Sequence, residues 1–187
     1  MGDLCAKNVK NINLVGGDPT SDLHVILEAM KYIDMNICFL WNSNFYNSAP
    51  AIDLLLDVMD VRLPDWKFGD DACAERYAKV SNYVETMKRN FQAVHEERKG
   101  EIIIRHLVMP GHVDCCSKPI LDWIAKHLPK AVVNIMEQYF PAYHAPDYPE
   151  IDRRPTAEEM KEVWEYATDL GIVWEPATYI RDVWFPF

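Results

Sequence analysis

The chain has 187 residues, 49% of them hydrophobic, 26% charged and 12% aromatic. Length and composition indicate one domain able to bury roughly 70% of the surface its unfolded form exposes, and the apolar fraction excludes a disordered chain. Lys and Arg number 19 against 29 Asp and Glu, a formal charge of -10, which excludes extended nucleic-acid binding but leaves room for one basic pocket for a small anionic ligand.

Short apolar strands alternate with longer helical patterns along the sequence. Asn11 to Val15 reads as a brief strand that stops at the loop Gly16-Gly17-Asp18-Pro19-Thr20. Leu23, Ile26, Leu27 and Met30 then fall at helical spacing behind Ser21 and Asp22, which can cap. Asn36 to Trp41 is a second strand, followed by a polar stretch to Ser48 and a helix face made by Ile52, Leu55, Leu56 and Met59. A third strand, Asp60 to Leu63, is expected to stop at Pro64. Ala72 to Arg98 is helical with a break near Ser81-Asn82, Ile102 to Met109 is the most strand-like run, and Pro119 to His127 is helical. Ala131 to Met136 is the last clear strand. Thr156 then caps a final helix that Gly171 ends.

Strand, helix, strand, repeated about four times, specifies a parallel sheet covered by helices. The continuous run Ile102-Ile103-Ile104 fits strands buried on both faces. In such sheets ligands bind at the carboxyl ends of the strands, and the unusual polar clusters of this sequence fall there. Gly16-Gly17 either lets a backbone approach a ligand or makes an ordinary turn. Asp65 and Lys67, at i and i+2, either hold a zwitterion's amine and carboxylate or form a solvated ion pair. Arg105 lies inside an apolar strand, where a guanidinium needs an anion. His106, His112 and Asp114 near Cys115 and Cys116 match no zinc spacing, so structural histidines are expected and no metal ligand is assigned. Trp174, Tyr179, Trp184, Phe185 and Phe187 make an aromatic tail expected to pack rather than to stack on a ligand.

The five cysteines, Cys5, Cys38, Cys73, Cys115 and Cys116, include no CxxC pair and read as reduced, mostly buried thiols. No apolar run approaches the ~18 residues of a membrane helix, and the N-terminus lacks the regions of a signal peptide, so a soluble, cytoplasmic protein without membrane association is expected.

Five segments in order, Asn11 to Thr20, Trp41-Asn42-Ser43-Asn44-Phe45-Tyr46, Leu63-Pro64-Asp65-Trp66-Lys67-Phe68-Gly69, Arg105 to Cys116 and Asn134 to Tyr139, resemble radical S-adenosylmethionine (radical SAM) proteins, most nearly the group related to pyruvate formate-lyase activating enzyme. The resemblance covers nearly the whole chain. It implies an α/β fold, a partial TIM-type (β/α)6 barrel of parallel strands with the first strand missing, that binds S-adenosylmethionine beside a 4Fe-4S cluster and cleaves it reductively to a 5'-deoxyadenosyl radical. Residues 1–150 would form this truncated barrel, and 151–187 a C-terminal helix and aromatic tail packed on it. By the same resemblance Gly16, Gly17 and Asp18 match the Gly-Gly-Glu motif that meets the methionine amino group, with Asp18 one methylene shorter than the usual Glu. Asn42 and Asn44 match the strand-three loop, Asp65 and Lys67 the Asp-x-Lys pair, Arg105 the fifth-strand arginine, and Gln138 the sixth-strand position that completes the pocket.

The family's CxxxCxxC loop, whose three thiolates hold the cluster, is absent from these 187 residues. The remaining cysteines are not expected to gather three thiolates without breaking the barrel layout. The exposed edge left by a missing first strand would invite a homodimer or a separate N-terminal segment. Three readings follow: an activating enzyme with a small-molecule cofactor and a protein among its substrates, a non-catalytic module with an S-adenosylmethionine-like pocket, and a metal-dependent barrel hydrolase using His106, His112 and Asp65.

Overall fold

The computed structural model describes residues 10–33, 36–97 and 100–176. Among these residues six strands form one sheet in the order in which the chain makes them: β1 (Asn11–Leu14), β2 (Cys38–Ser43), β3 (Val61–Trp66), β4 (Glu101–Leu107), β5 (Val132–Met136) and β6 (Val173–Pro176). Every neighbouring pair is parallel. The crossovers carry helices α1 (Leu23–Met30), α2 (Ala49–Val58), α3 (Asp71–Ala78), α4 (Tyr83–Glu97), α5 (Lys118–His127) and α6 (Ala157–Asp169). A right-handed crossover between successive parallel neighbours returns each helix to the same face. Sequential order therefore yields the singly wound sheet of a partial (β/α)6 barrel, as expected.

Burial along the strands shows the consequence. Ile12, Leu14, Phe39, Trp41, Trp66, Ile104, Val133 and Ile135 are buried against the helical layer. Their alternate neighbours, including Asn13, Leu40, Asn42, Asp65, Ile103, Arg105 and Asn134, are half-buried or exposed. The expectation of a sheet buried on both faces is thus corrected: helices cover one face, and the other, concave face stays open. The covered core has two parts, one in which β1, β2, α1 and α2 meet, and a larger one centred on β3 to β5 and helices α4 to α6. In the larger part Phe91 of α4 stacks on Trp66 with ring centroids 4.8 Å apart.

Three local features depart from the sequence pattern. Pro64 lies inside β3, opposite Ser43 of β2, and β3 continues to Trp66. The ladder to β4 pairs Val61 and Arg62, skips Leu63 and Pro64, and resumes at Asp65. Proline's missing N–H interrupts this ladder without ending the strand. Second, α5 is preceded by a single π-helical turn, Val113–Ser117, which carries Cys115 and Cys116. Third, Val173–Pro176 adds a sixth strand beside β5, where Trp174 stacks on Trp164 of α6 with centroids 5.9 Å apart. Tyr179, Trp184, Phe185, Phe187 and Cys5 lie outside the described residues.

Thr156 caps α6 as its sequence predicts, in a reciprocal box with Glu159. Glu159 also accepts bonds from Arg153 and from the Gly111 amide beyond β4. Arg153 and these amides hold the Glu159 carboxyl at about 2.

His106 ties β4 to the π turn. Its Nδ1 lies 2.8 Å from the Trp66 carbonyl and its Nε2 2.9 Å from the Ser117 hydroxyl. A carbonyl only accepts, so Nδ1 carries the proton and Ser117 donates to Nε2 in the neutral ring. Complete burial lowers its pKa from 6.5 to about 4. Because the unfolded chain takes up this proton more readily, stability is full above pH 6.5 and falls as pH drops toward 4. Urea unfolding is expected to show a loss of about 2 kcal/mol between pH 7 and pH 5 from this group alone. The loss should be missing in His106→Gln compared across the same two pH values.

Candidate functional site

The open face carries a polar row at the carboxyl end of the sheet. Asp65 of β3 is in register with Arg105 of β4, Arg105 with Asn134 of β5, and Asn134 with Glu175 of β6. One step nearer the amino ends, Asn42 lies opposite Leu63, and Ile103, Val132 and Val173 continue an apolar row beneath. The row therefore has an apolar floor behind it and the loops of the carboxyl rim in front.

Asp65 is its centre. Oδ1 accepts from Arg105 Nε at 2.7 Å and also pairs with the Arg105 terminal nitrogen. Oδ2 lies 3.1 Å from Lys67 Nζ. The Asp65 side chain is 15% exposed, against 28% for Arg105 and 35% for Lys67, so the carboxylate is enclosed while both cations still reach solvent. The anion that Arg105 needs is Asp65. Two cations on one carboxylate leave this trio one positive charge in excess, with the Glu175 carboxylate two strands away, and suit a ligand's carboxylate or phosphate.

Gly16 and Gly17 follow β1 at the same rim. Neither has a positive φ, and a Cβ built on either meets nothing within 4 Å. The fold itself gives no reason for glycine at either position, which weakens the reading as a turn that demands it. Asp18 is spent on the scaffold: Oδ1 accepts from Thr20 N at 3.0 Å and Oδ2 from Asn44 N at 2.8 Å, clipping the β1 loop to the β2 loop. The Asn44 side chain accepts from Tyr46 N at 2.9 Å, so it too shapes its own loop. Gln138 is exposed beyond β5 and lines a cleft of about 590 Å³ with Glu137, Arg154, Thr156 and Trp164. The structure thus brings Asp65, Lys67 and Arg105 into direct contact, joins Asp18 and Asn44 one to two strands away, and sets Gln138 beside the start of α6.

The row also contains Asn134 and Glu175, which sequence reasoning did not single out; Asn134 Nδ2 donates to the Glu175 carbonyl at 3.2 Å. Their signal was the period-two alternation of polar residues within apolar strands. His106 and Asp65 project from opposite faces of the sheet, since each is in register with the residue next to the other's partner. They cannot ligate one ion, so the metal-hydrolase reading through His106, His112 and Asp65 is not supported.

A second cluster lies behind the rim, between α3 and the π turn. One ligand atom each from Cys73, His112 and Cys115 all fall within 4.8 Å of one another. Cys73 Sγ is 3.8 Å from Cys115 Sγ, and Cys115 Sγ is 3.8 Å from Cys116 Sγ. Three thiols therefore do meet without disturbing the sheet, contrary to expectation, because the π turn swings Cys115 and Cys116 under α3. Gly69 permits this approach, since a Cβ there would collide with the Cys116 backbone. Burial pushes the Cys73 thiol up to about 11 and the Cys116 thiol higher still. A 4Fe-4S cube binds each thiolate on a separate iron, which holds the sulfurs farther apart than they stand here, so this trio does not fit such a cluster.

No family model matches the chain. The uncharacterized protein MJ0674 of Methanocaldococcus jannaschii is 51% identical over 158 residues, covering 84% of this chain and 46% of that protein. The chain thus spans a little under half the length of this relative. Among solved structures, a domain of pyruvate-formate lyase-activating enzyme from Bacteroides vulgatus superimposes with a TM-score of 0.71 at 17% identity, covering 91% of this chain and all of that domain. A radical SAM methyltransferase from Sphaerobacter thermophilus gives 0.63 at 14% identity, covering 94% of this chain and 52% of the enzyme. These likenesses establish the fold: the chain shares the α/β architecture of radical SAM proteins.

If Gly16 and Gly17 are free of fold constraints, Gly16→Ala and Gly17→Ala should leave thermal stability unchanged or raise it by about 0.4–1 kcal/mol through the unfolded chain. A loss above about 1 kcal/mol in calorimetry would instead mark a structural turn.

Proposed function

We propose that this chain is the S-adenosylmethionine-binding barrel of a radical SAM protein related to pyruvate formate-lyase activating enzyme. One observation carries the reading: the cationic pair Lys67 and Arg105, fixed on Asp65, shares a rim with the bare backbone of Gly16 and Gly17. The rim offers both ends of an amino acid their partners. Cations meet the carboxylate, and uncovered main-chain carbonyls meet the ammonium. With strands about 4.8 Å apart, the β1 loop and Lys67 stand about 10 Å from each other across the face. Asn42 adds a neutral donor and acceptor along the way, Asn134 lies beyond Arg105, and the apolar row of Leu63, Ile103 and Val132 backs them.

Bound S-adenosylmethionine supplies a 5'-deoxyadenosyl radical when a reduced 4Fe-4S cluster delivers an electron. The CxxxCxxC loop for that cluster is absent from the 187 residues, and the thiol trio behind the rim does not fit it. The role we assign to these residues is accordingly to bind and orient. Asp65 positions the two cations, Asp18 holds the glycine loop in place, and the chain by itself binds the cofactor without cleaving it.

Isothermal titration of the chain with S-adenosylmethionine and with its decarboxylated analogue tests this reading. The full cofactor should bind about tenfold or more tightly than the analogue, the value of one charge-assisted pair. Lys67→Met should weaken the full cofactor and erase that preference. Gly17→Val should lower affinity while leaving the fold intact. Equal affinities for the two ligands, or no binding of either at millimolar concentration, would overturn it.

A further inference from the structure

The thiol and imidazole cluster behind the rim has no part in the cofactor reading, and its geometry answers a different chemistry. We infer that Cys73, His112, Cys115 and Cys116 form a tetrahedral site for a single zinc-class divalent ion that pins the loop after β4 to α3. Two sulfurs bound to one tetrahedral ion through bonds of about 2.3 Å stand about 3.8 Å apart. The separations Cys73 to Cys115 and Cys115 to Cys116 are both 3.8 Å, while a disulfide would need about 2.05 Å. Cys73, His112 and Cys115 offer donor atoms all within 4.8 Å of one another, and Cys116, 3.8 Å from Cys115, is the fourth donor that an ion would draw in.

The surroundings are those of a metal ligand set. His112 Nδ1 lies 2.7 Å from the Pro110 carbonyl, which only accepts, so in the neutral ring the proton sits on Nδ1 and Nε2 keeps its lone pair. A backbone carbonyl fixing the tautomer is the usual support of a metal-bound histidine. Nε2 is 3.0 Å from the Tyr77 hydroxyl, which also stands 2.8 Å from Glu150 Oε1. Tyr77 has one proton for these two acceptors, so one of them goes without. An ion on Nε2 resolves the conflict: the Tyr77 hydroxyl moves off Nε2 and gives its proton to Glu150. On the sulfur side, the Gly69 backbone bonds to Cys116, as backbone amides do to metal thiolates. Cys116 is buried and Cys73 and Cys115 are half-buried, which would shield the completed site from water. Three cysteines and one histidine are an established donor set for structural zinc. When the ion binds, each thiol yields its proton to solvent and no electron is transferred.

The test uses the whole chain, stripped with a chelator and kept reduced, without S-adenosylmethionine. Zn²⁺ titrated against a chromophoric chelator should bind at one equivalent, and Co²⁺ should give thiolate-to-cobalt charge transfer with tetrahedral visible bands. Mass spectrometry after alkylation should show Cys73 and Cys115 protected by Zn²⁺ and Cys38 unprotected. Cys73→Ser and Cys115→Ser should each lower affinity about 100-fold or more. Tyr77→Phe, which removes the competing hydroxyl and leaves every ligand in place, should bind at least as tightly as the parent chain. Absence of stoichiometric uptake by the parent chain, octahedral cobalt without charge transfer, or unchanged alkylation of Cys73 and Cys115 would overturn the site. None of these outcomes bears on the cofactor reading.

Discussion

Six parallel strands laid side by side in chain order leave the crossover helices a single face to cover. Everything distinctive in this protein follows from that constraint. The covered face packs Trp66, Ile104 and Val133 with Phe91 of α4 in the larger core and Trp41 in the smaller one, while the other face is free to carry polar side chains at every second strand position. All the loops that follow strands emerge at one rim. A residue four positions past β1 and the residue directly after β2 can then bond, as Asp18 and Asn44 do through a 2.8 Å contact. Asp65 uses the same geometry across strands, holding Arg105 from the neighbouring strand and Lys67 from its own.

The enclosed carboxylate gives this arrangement its direction. An isolated arginine within an apolar strand would carry a heavy desolvation cost, and Asp65 in register with it removes that cost. The pair leaves both cations with open flanks, and Lys67 adds charge beyond what one carboxylate neutralises. In a chain with a formal charge of -10, a local excess of positive charge on a concave, apolar-floored face is a selective feature. It points to a small anionic or zwitterionic ligand rather than to a polyanion.

Much of the framework was legible in the sequence because it rests on local rules. Alternation of strand and helix, the break at Ser81-Asn82 and the Thr156 cap are written in residues close to one another in the chain. The glycine pair, Asp65, Lys67 and Arg105 were legible because polar residues at strand ends are rare and positional. What escaped depended on contacts distant in sequence. Pro64 ends a strand by composition, yet β2 pairs on its other side and the strand continues. Val173–Pro176 looks like the start of an aromatic tail until β5 offers it a partner. Asn134 and Glu175 acquire meaning only when the register sets them beside Arg105. Cys73 is 42 residues from Cys115, and nothing in either segment announces that a π turn and Gly69 bring their sulfurs together.

The rim thus carries two separate constellations, an ion-paired cradle on the open face and a thiol-imidazole cluster behind it, both anchored on the segments that follow β3 and β4. The claim on which the cofactor account rests is that one ligand spans β1 to β4 across the concave face. Nitrogen-15 NMR of the chain during titration with S-adenosylmethionine reads this most directly. The account predicts saturable shifts of the Gly16 and Gly17 backbone amides together with the Asn42 side-chain amide and Arg105 Nε, all following one binding curve. Shifts that leave Gly16, Gly17 and Arg105 unmoved, or that follow separate curves at the two ends of the row, would contradict it.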